Sequence, residues 1–117
     1  MAVASNKYQR AVDKIIPHFY PDINFIAVEG HCDGVNVKPD PSVVFSILAK
    51  AQLAKSDCLY VGDSGVDMET ARRACIDSVG VTWGFRSKKE LVEYHADAIV
   101  NNPVEILNIV EQGIIIS

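Results

Sequence analysis

Short apolar runs alternate with amphipathic helical patterns along this chain, and that alternation restricts the possible fold more than any other feature. The runs occupy residues 3–4, 25–28, 59–61, 78–82 and 98–100. They suit strands and are too short for helices. Between two of them, Val44, Ile47 and Leu48 recur at helical spacing. The pattern predicts a three-layer α/β/α fold with a Rossmann-like parallel sheet, and 117 residues suit one domain over 1–117.

Capping signals mark where the predicted helices begin and end. Asn6 is a candidate N-cap for the first helix, and Asp40 for the next, with Pro41 at the first helical position. A third helix is predicted over 66–75. Two more begin at the capping boxes of Ser87 with Glu90 and Asn102 with Glu105, and Gly113 ends the last helix.

Composition argues against several classes of partner. The net charge is −4 with both signs interspersed, so no basic stripe indicates nucleic acid. The apolar runs fall far short of the ~20 residues that cross a bilayer, and we expect neither membrane partner nor signal peptide. Cys32, Cys58 and Cys75 show no metal-type spacing. A reducing, cytoplasmic compartment fits them best.

Two carboxylates, Asp63 and Asp67, follow the strand pattern 59–61 in a glycine-containing turn. Their oxygens suit a hard cation such as Mg²⁺. The competing interpretation is a helix start, where Asp and Ser serve as caps. The preceding buried strand and the candidate segments around Ser5 and Lys38 favour the interpretation as a metal site over that as a helix start.

Three further polar residues are candidates for binding an anion. Lys38 lies in a loop stiffened by Pro39 and Pro41, where its charge can neutralise a phosphoryl group. Without the aspartates at 63 and 67, Lys38 would be interpreted as a solvated surface lysine. Ser5 and Asn6 lie where a strand meets a helix and can cradle an anion, cap the helix, or do both with the same geometry.

Topology predicts that these candidates meet. Ser5, Asp63 and Asp67 each follow a predicted strand, and ligands of open parallel sheets bind at the carboxyl ends of the strands. Trp83 also follows a strand end, where it can line the mouth of a site or simply pack. His18, His31 and His95 show no ligand spacing and are interpreted as surface or structural residues.

In order and spacing, these segments resemble the haloacid dehalogenase superfamily of phosphatases. Ser5 matches the family's second motif, which binds the transferring phosphoryl group, and Lys38 matches the third. Asp63 and Asp67 match the acidic fourth motif, which binds Mg²⁺. The stretch 80–85 resembles phosphoglycolate phosphatases, as do the regions around Ala96-Asp97 and Asn102-Pro103.

One departure from the family pattern concerns the nucleophile. The family's first motif is Asp-x-Asp at the end of a strand, and its first aspartate attacks phosphorus. No Asp-x-Asp occurs in this sequence, and no segment corresponds to the family's helical cap. The chain therefore resembles the C-terminal portion of the core domain, from the second motif onward.

The family's first strand is also the central strand of its sheet, so we expect a gap in the sheet here. Unsatisfied buried backbone groups cost about 1–3 kcal/mol each. One hypothesis fills the gap with the β-branched tail Ile114–Ile116, from this molecule or from a neighbour. A tail from a neighbour, or pairing of two incomplete sheets, would form a homodimer. The rival repair is direct pairing of the strands on either side.

The resemblance implies a Mg²⁺-dependent hydrolase of small phosphorylated metabolites that works through an aspartyl-phosphate. Without the nucleophile, the isolated chain is expected to be inactive. The alternative is a non-catalytic domain that binds phosphate or a partner, or one half of a split enzyme.

Overall fold

Five parallel strands and five α-helices alternate along the described part of the chain. The computed structural model describes residues 1–34, 36–84 and 86–112. The strands are β1 (Ala2–Tyr8), β2 (Ala27–His31), β3 (Leu59–Gly62), β4 (Asp77–Val81) and β5 (Ala98–Val100). The helices are α1 (Gln9–Phe19), α2 (Ser42–Ala51), α3 (Gly65–Ala74), α4 (Lys88–Glu93) and α5 (Pro103–Gln112). The predicted α/β class with parallel strands is confirmed.

The strands form two separate sheets. β1 pairs with β2, and β3, β4 and β5 form a three-stranded sheet in that order. Among the described strands the expected gap is present, and the prediction that β1 pairs directly with β3 is wrong. A cleft of about 830 Å³ separates β1 from β3, and residues of both strands line it. The segment Ile114–Ile116 lies outside the described residues, so its docking stays a prediction.

The three-stranded sheet carries helices on both faces because successive side chains of a strand point in opposite directions. Tyr60 belongs to a buried cluster formed with α2 and α3. Its neighbour Leu59 packs against the cluster of Val79, Val81 and Val100, together with α5. This half of the molecule is therefore layered as predicted.

The two-stranded sheet has a register shift between Ala4 and Tyr8. Beside it, the Gln9 side chain donates to the Val28 carbonyl at 2.9 Å and accepts from the Gly30 N–H at 2.7 Å. The side chain thus pairs with the β2 backbone next to the irregular part of β1. Gly30 is required here, because a Cβ would lie 2.8 Å from Val12 of α1.

Helix starts differ in detail from the sequence predictions. The prediction that Asn6 caps α1 is wrong, since β1 continues to Tyr8 and α1 begins at Gln9. Asp40 accepts from the Ser42 N–H at 2.8 Å, but α2 begins at Ser42, one residue later than expected. No helix in the described part of the chain is long and apolar enough to span a membrane.

Candidate phosphoryl-binding site

An ion pair between Lys38 and Asp67 crosses the cleft between the two sheets. Lys38 Nζ lies 2.8 Å from Asp67 Oδ1 and 3.3 Å from the carbonyl oxygen of Ala4. Only 12% of the Lys38 side chain and 13% of the Asp67 side chain are exposed. Lys38 therefore joins β1 to the start of α3, with both charges largely removed from water.

Four protein donors reach the two oxygens of the Asp67 carboxylate. Besides Lys38, Tyr60 Oη donates to Oδ1 at 3.3 Å. The Asp63 N–H and Ser64 Oγ donate to Oδ2 at 3.2 Å and 3.1 Å. Gly62 makes room, since a Cβ there would lie 2.3 Å from Asp67 Cβ. With its oxygens engaged, Asp67 positions Lys38, and direct coordination of a metal by Asp67 stays a prediction.

Tyr60 is a member of this group that the sequence analysis missed. It lies within β3, and nothing in the sequence distinguishes it there from an ordinary buried aromatic residue. Burial raises the pKa of its phenol, and the negative charge of Asp67 raises it further. The hydroxyl therefore stays protonated and remains a donor to Asp67.

Asp63 is the other carboxylate at the cleft, and its surroundings differ from those of Asp67. Within the described ranges, no protein donor is hydrogen-bonded to the Asp63 carboxylate. It packs against Gly84, where a Cβ would lie 2.1 Å from Asp63 Oδ2. Trp83 lines the same cleft, as one of its two interpretations expected. Gly84 was missed, because only this contact reveals why it must be glycine.

The predicted Mg²⁺ site can be compared with the carboxylates that line the cleft. No group of three or more His, Cys, Asp or Glu side chains is close enough to hold a metal within those residues. Mg²⁺ is commonly held by one or two carboxylates, with waters and substrate phosphates completing the shell. The Asp63 carboxylate fits that requirement as one ligand.

Asn6 binds the backbone of Lys38 from both ends of its amide. Its Oδ1 accepts from the Lys38 N–H at 2.9 Å, and its Nδ2 donates to the Lys38 carbonyl at 3.3 Å. Asn6 therefore positions the lysine loop on β1. The sequence analysis named both Asn6 and Lys38 as candidates for binding an anion, but it did not indicate that Asn6 binds the Lys38 backbone.

Ser5 lies beside a second, smaller cavity. Ser5, Asn6, His31 and Lys38 line this space of about 130 Å³, and Ser5 Oγ accepts from the Lys7 N–H at 3.1 Å. The larger cleft is lined by Lys38, Asp63 and Asp67. Lys38 is thus common to both cavities. The structure brings Lys38 together with the two aspartates in the larger cleft, whereas Ser5 lines the second cavity.

Comparison with known proteins identifies the class to which this arrangement belongs. The family model described as haloacid dehalogenase-like hydrolase matches residues 1–81. The chain belongs to the haloacid dehalogenase-like hydrolase family.

Within the family, the chain is similar to phosphoglycolate phosphatases. It is 30% identical over 110 residues to the phosphoglycolate phosphatase of Mannheimia succiniciproducens, covering 94% of this chain and 49% of the relative. Identity is 29% with that of Pectobacterium atrosepticum, covering 94% of this chain and 47% of the relative. The chain thus spans about half the length of the curated relatives it matches.

Solved structures show the same relationship. A crystal structure from Lactobacillus delbrueckii subsp. bulgaricus, provisionally assigned as a phosphoglycolate phosphatase, superposes with a TM-score of 0.87 at 31% identity. The match covers 93% of this chain and 45% of that one. A haloacid dehalogenase-like family protein from Streptococcus pneumoniae gives 0.80 at 25% identity, covering 92% and 50%.

Proposed function

We propose that this chain supplies the phosphoryl-binding part of a Mg²⁺-dependent phosphate monoester hydrolase similar to phosphoglycolate phosphatases. The observation that carries the proposal is the buried Lys38–Asp67 pair, which joins Ala4 of β1 to the first turn of α3, just after β3. An ammonium group fixed by one carboxylate and one carbonyl keeps its position while its charge remains available to an anion in the cleft.

The chain's own residues have separate roles in this proposal. Lys38 neutralises charge on the phosphoryl group, and Ser5 hydrogen-bonds its oxygens from the second cavity. Asp67 and Asn6 hold Lys38 in place, the first by its side chain and the second by its backbone. Asp63 ligates Mg²⁺, which when bound would offset the negative charge of the phosphate.

Hydrolysis through an aspartyl-phosphate needs a nucleophilic carboxylate, and none of these residues fills that role. Asp67 is hydrogen-bonded to four donors, and Asp63 is assigned to the metal. In the family to which the chain belongs, the nucleophile lies on the strand that corresponds to the cleft between β1 and β3. We therefore propose that the chain is inactive alone, and that the substrate is selected by a segment outside these residues.

Reconstitution tests the proposal. The part of the Mannheimia relative outside its match to this chain is co-expressed with the chain, and Mg²⁺-dependent release of phosphate from phosphoglycolate is measured. We expect activity that requires both polypeptides and is lost in Asp63→Ala and Lys38→Met. A stable complex that hydrolyses no phosphate monoester would contradict the catalytic proposal.

The alternative is a non-catalytic domain or one half of a split enzyme, and the divided sheet favours the second of these. β1 and β3 each have one unpaired edge facing the same cleft within the described chain. A strand added there would join the two sheets. A reducing, cytoplasmic location and a homodimer formed through this cleft also remain proposals.

A further inference from the structure

The segment after β4 contacts the turn that carries the two carboxylates. We name residues 62–67 the aspartate turn. Glu90 Oε2, from α4, accepts a hydrogen bond from the Gly65 N–H at 2.8 Å. Gly65 is the first residue of α3, where backbone N–H groups have no partner within the helix.

Glu90 does not complete the capping box that the sequence predicts. Ser87 Oγ accepts from the Glu90 N–H at 3.2 Å, which is one half of that box. The Glu90 carboxylate instead reaches 25 residues back to α3. Arg86 Nη1 lies 3.8 Å from Glu90 Oε1, but the Arg86 side chain is 63% exposed. Arg86 therefore competes only weakly with the Gly65 N–H for the Glu90 carboxylate.

Two more contacts from the same segment hold the aspartate turn. The Tyr94 ring covers Gly65, where a Cβ would lie 2.6 Å from the ring. Gly84 packs against the Asp63 side chain on the other side of the turn. Of the three contacts, only Glu90 contributes a charge-assisted hydrogen bond, which is about twice as strong as a neutral one.

We propose that Glu90 is a positioning residue for the aspartate turn. By holding the Gly65 N–H, it fixes the backbone from which Asp63 projects into the cleft. It thereby sets the direction in which Asp63 presents its oxygens to a divalent cation. The cation part of this inference rests on the proposed function, whereas the backbone part does not.

The test compares Glu90→Ala and Glu90→Gln with Glu93→Gln as a matched control. Glu93 lies on the same helix, its side chain is 59% exposed, and its carboxylate lies 4.0 Å from Lys89 Nζ. Amide hydrogen exchange at Gly65 is measured by NMR. Mn²⁺ is then titrated as the probe ion while paramagnetic broadening of the indole N–H of Trp83, the single tryptophan, is followed.

We expect Gly65 exchange to rise about tenfold in Glu90→Ala, since one charge-assisted bond is lost. Glu90→Gln retains an acceptor and should recover part of the protection, while Glu93→Gln should match the unsubstituted chain. The Mn²⁺ concentration for half-maximal broadening should rise severalfold in Glu90→Ala only. Partial rescue by Gln separates positioning from a general loss of stability.

The two proposals fail differently. If Gly65 exchange is the same in Glu90→Ala and Glu93→Gln, the positioning role is wrong, whatever Mn²⁺ does. If Gly65 responds as expected but the unsubstituted chain shows no Mn²⁺ broadening of Trp83, Glu90 positions the turn and the metal part of the proposed function fails. If Mn²⁺ binds equally in all variants, Glu90 does not direct Asp63.

Discussion

The two sheets of this molecule are unequally packed although both are parallel and flanked by helices. The three-stranded half contains the fully buried side chains, among them Met68, Val79 and Leu91. On β1, β2 and α1, Val12 and Ala27 are the buried apolar residues among those described. The backbone of a strand is best protected when both of its edges are paired. Among the described strands, β4 is paired on both edges and β1 is paired only with β2. The half that carries the carboxylates can therefore form a core by itself, whereas the half that carries Ser5 depends on neighbours.

The largest expected consequence is a difference in local stability between the two sheets. Amide exchange in β4 should be about a hundredfold slower than in β1, because β4 exposes its backbone only when the main core opens. NMR-detected exchange in the isolated chain measures this. Equal protection of β1 and β4 would show that the two sheets unfold as one unit.

The Lys38 ion pair should contribute more to the free energy of unfolding than the Lys50 ion pair, because Lys38 links the two halves of the molecule. Lys38→Met leaves Asp67 largely buried without its cation and should cost about 3 kcal/mol in the free energy of unfolding. The matched control is Lys50→Met, whose partner is Glu29 and whose side chain is 58% exposed. Its cost should stay below about 1 kcal/mol.

Chemical denaturation of both variants measures the comparison. Similar losses in Lys38→Met and Lys50→Met would mean that the ion pair across the cleft does not couple the halves.

A smaller effect is expected at alkaline pH from Tyr60. Burial and the Asp67 charge raise its pKa in the folded state, while an unfolded tyrosine ionises near about pH 10. A group with a raised pKa in the folded state stabilises the fold at pH values below its unfolded pKa. This stabilisation is lost as the pH rises from the unfolded pKa through the folded pKa. From about pH 9 to about pH 11, the stability of the unsubstituted chain relative to Tyr60→Phe should fall by about 1 kcal/mol.

Denaturation curves of the two proteins at matched pH values test this. If the difference between them stays constant over that range, Tyr60 is not protonated preferentially in the folded state.

Much of the fold was predictable, because local patterns determined it. The alternation of apolar runs and helical spacing indicated all five strands, and the Ser64 cap with Asp67 marks the start of α3. The end of β1 was predicted wrongly, because the strand runs to Tyr8 and includes Ser5, which was expected to follow it. Asp63 and Asp67 follow β3 as predicted because a strand and a capping turn are adjacent in sequence.

The remainder depends on contacts between residues distant in sequence. Asn6 was assigned as a helix cap, but its amide binds Lys38, 32 residues away, and β1 extends past it. Glu90 was assigned to its own helix, but it binds Gly65. In each case a local hydrogen bond and a distant one were both chemically possible, and only the packed fold decides between them.

The central claim is that this chain holds a phosphoryl group in place but lacks the nucleophile that would cleave it. The direct test is turnover of a simple aryl phosphate by the purified chain with Mg²⁺, measured beside Asp63→Ala. The account predicts no hydrolysis above that of the variant. Mg²⁺-dependent turnover that disappears in Asp63→Ala would contradict it.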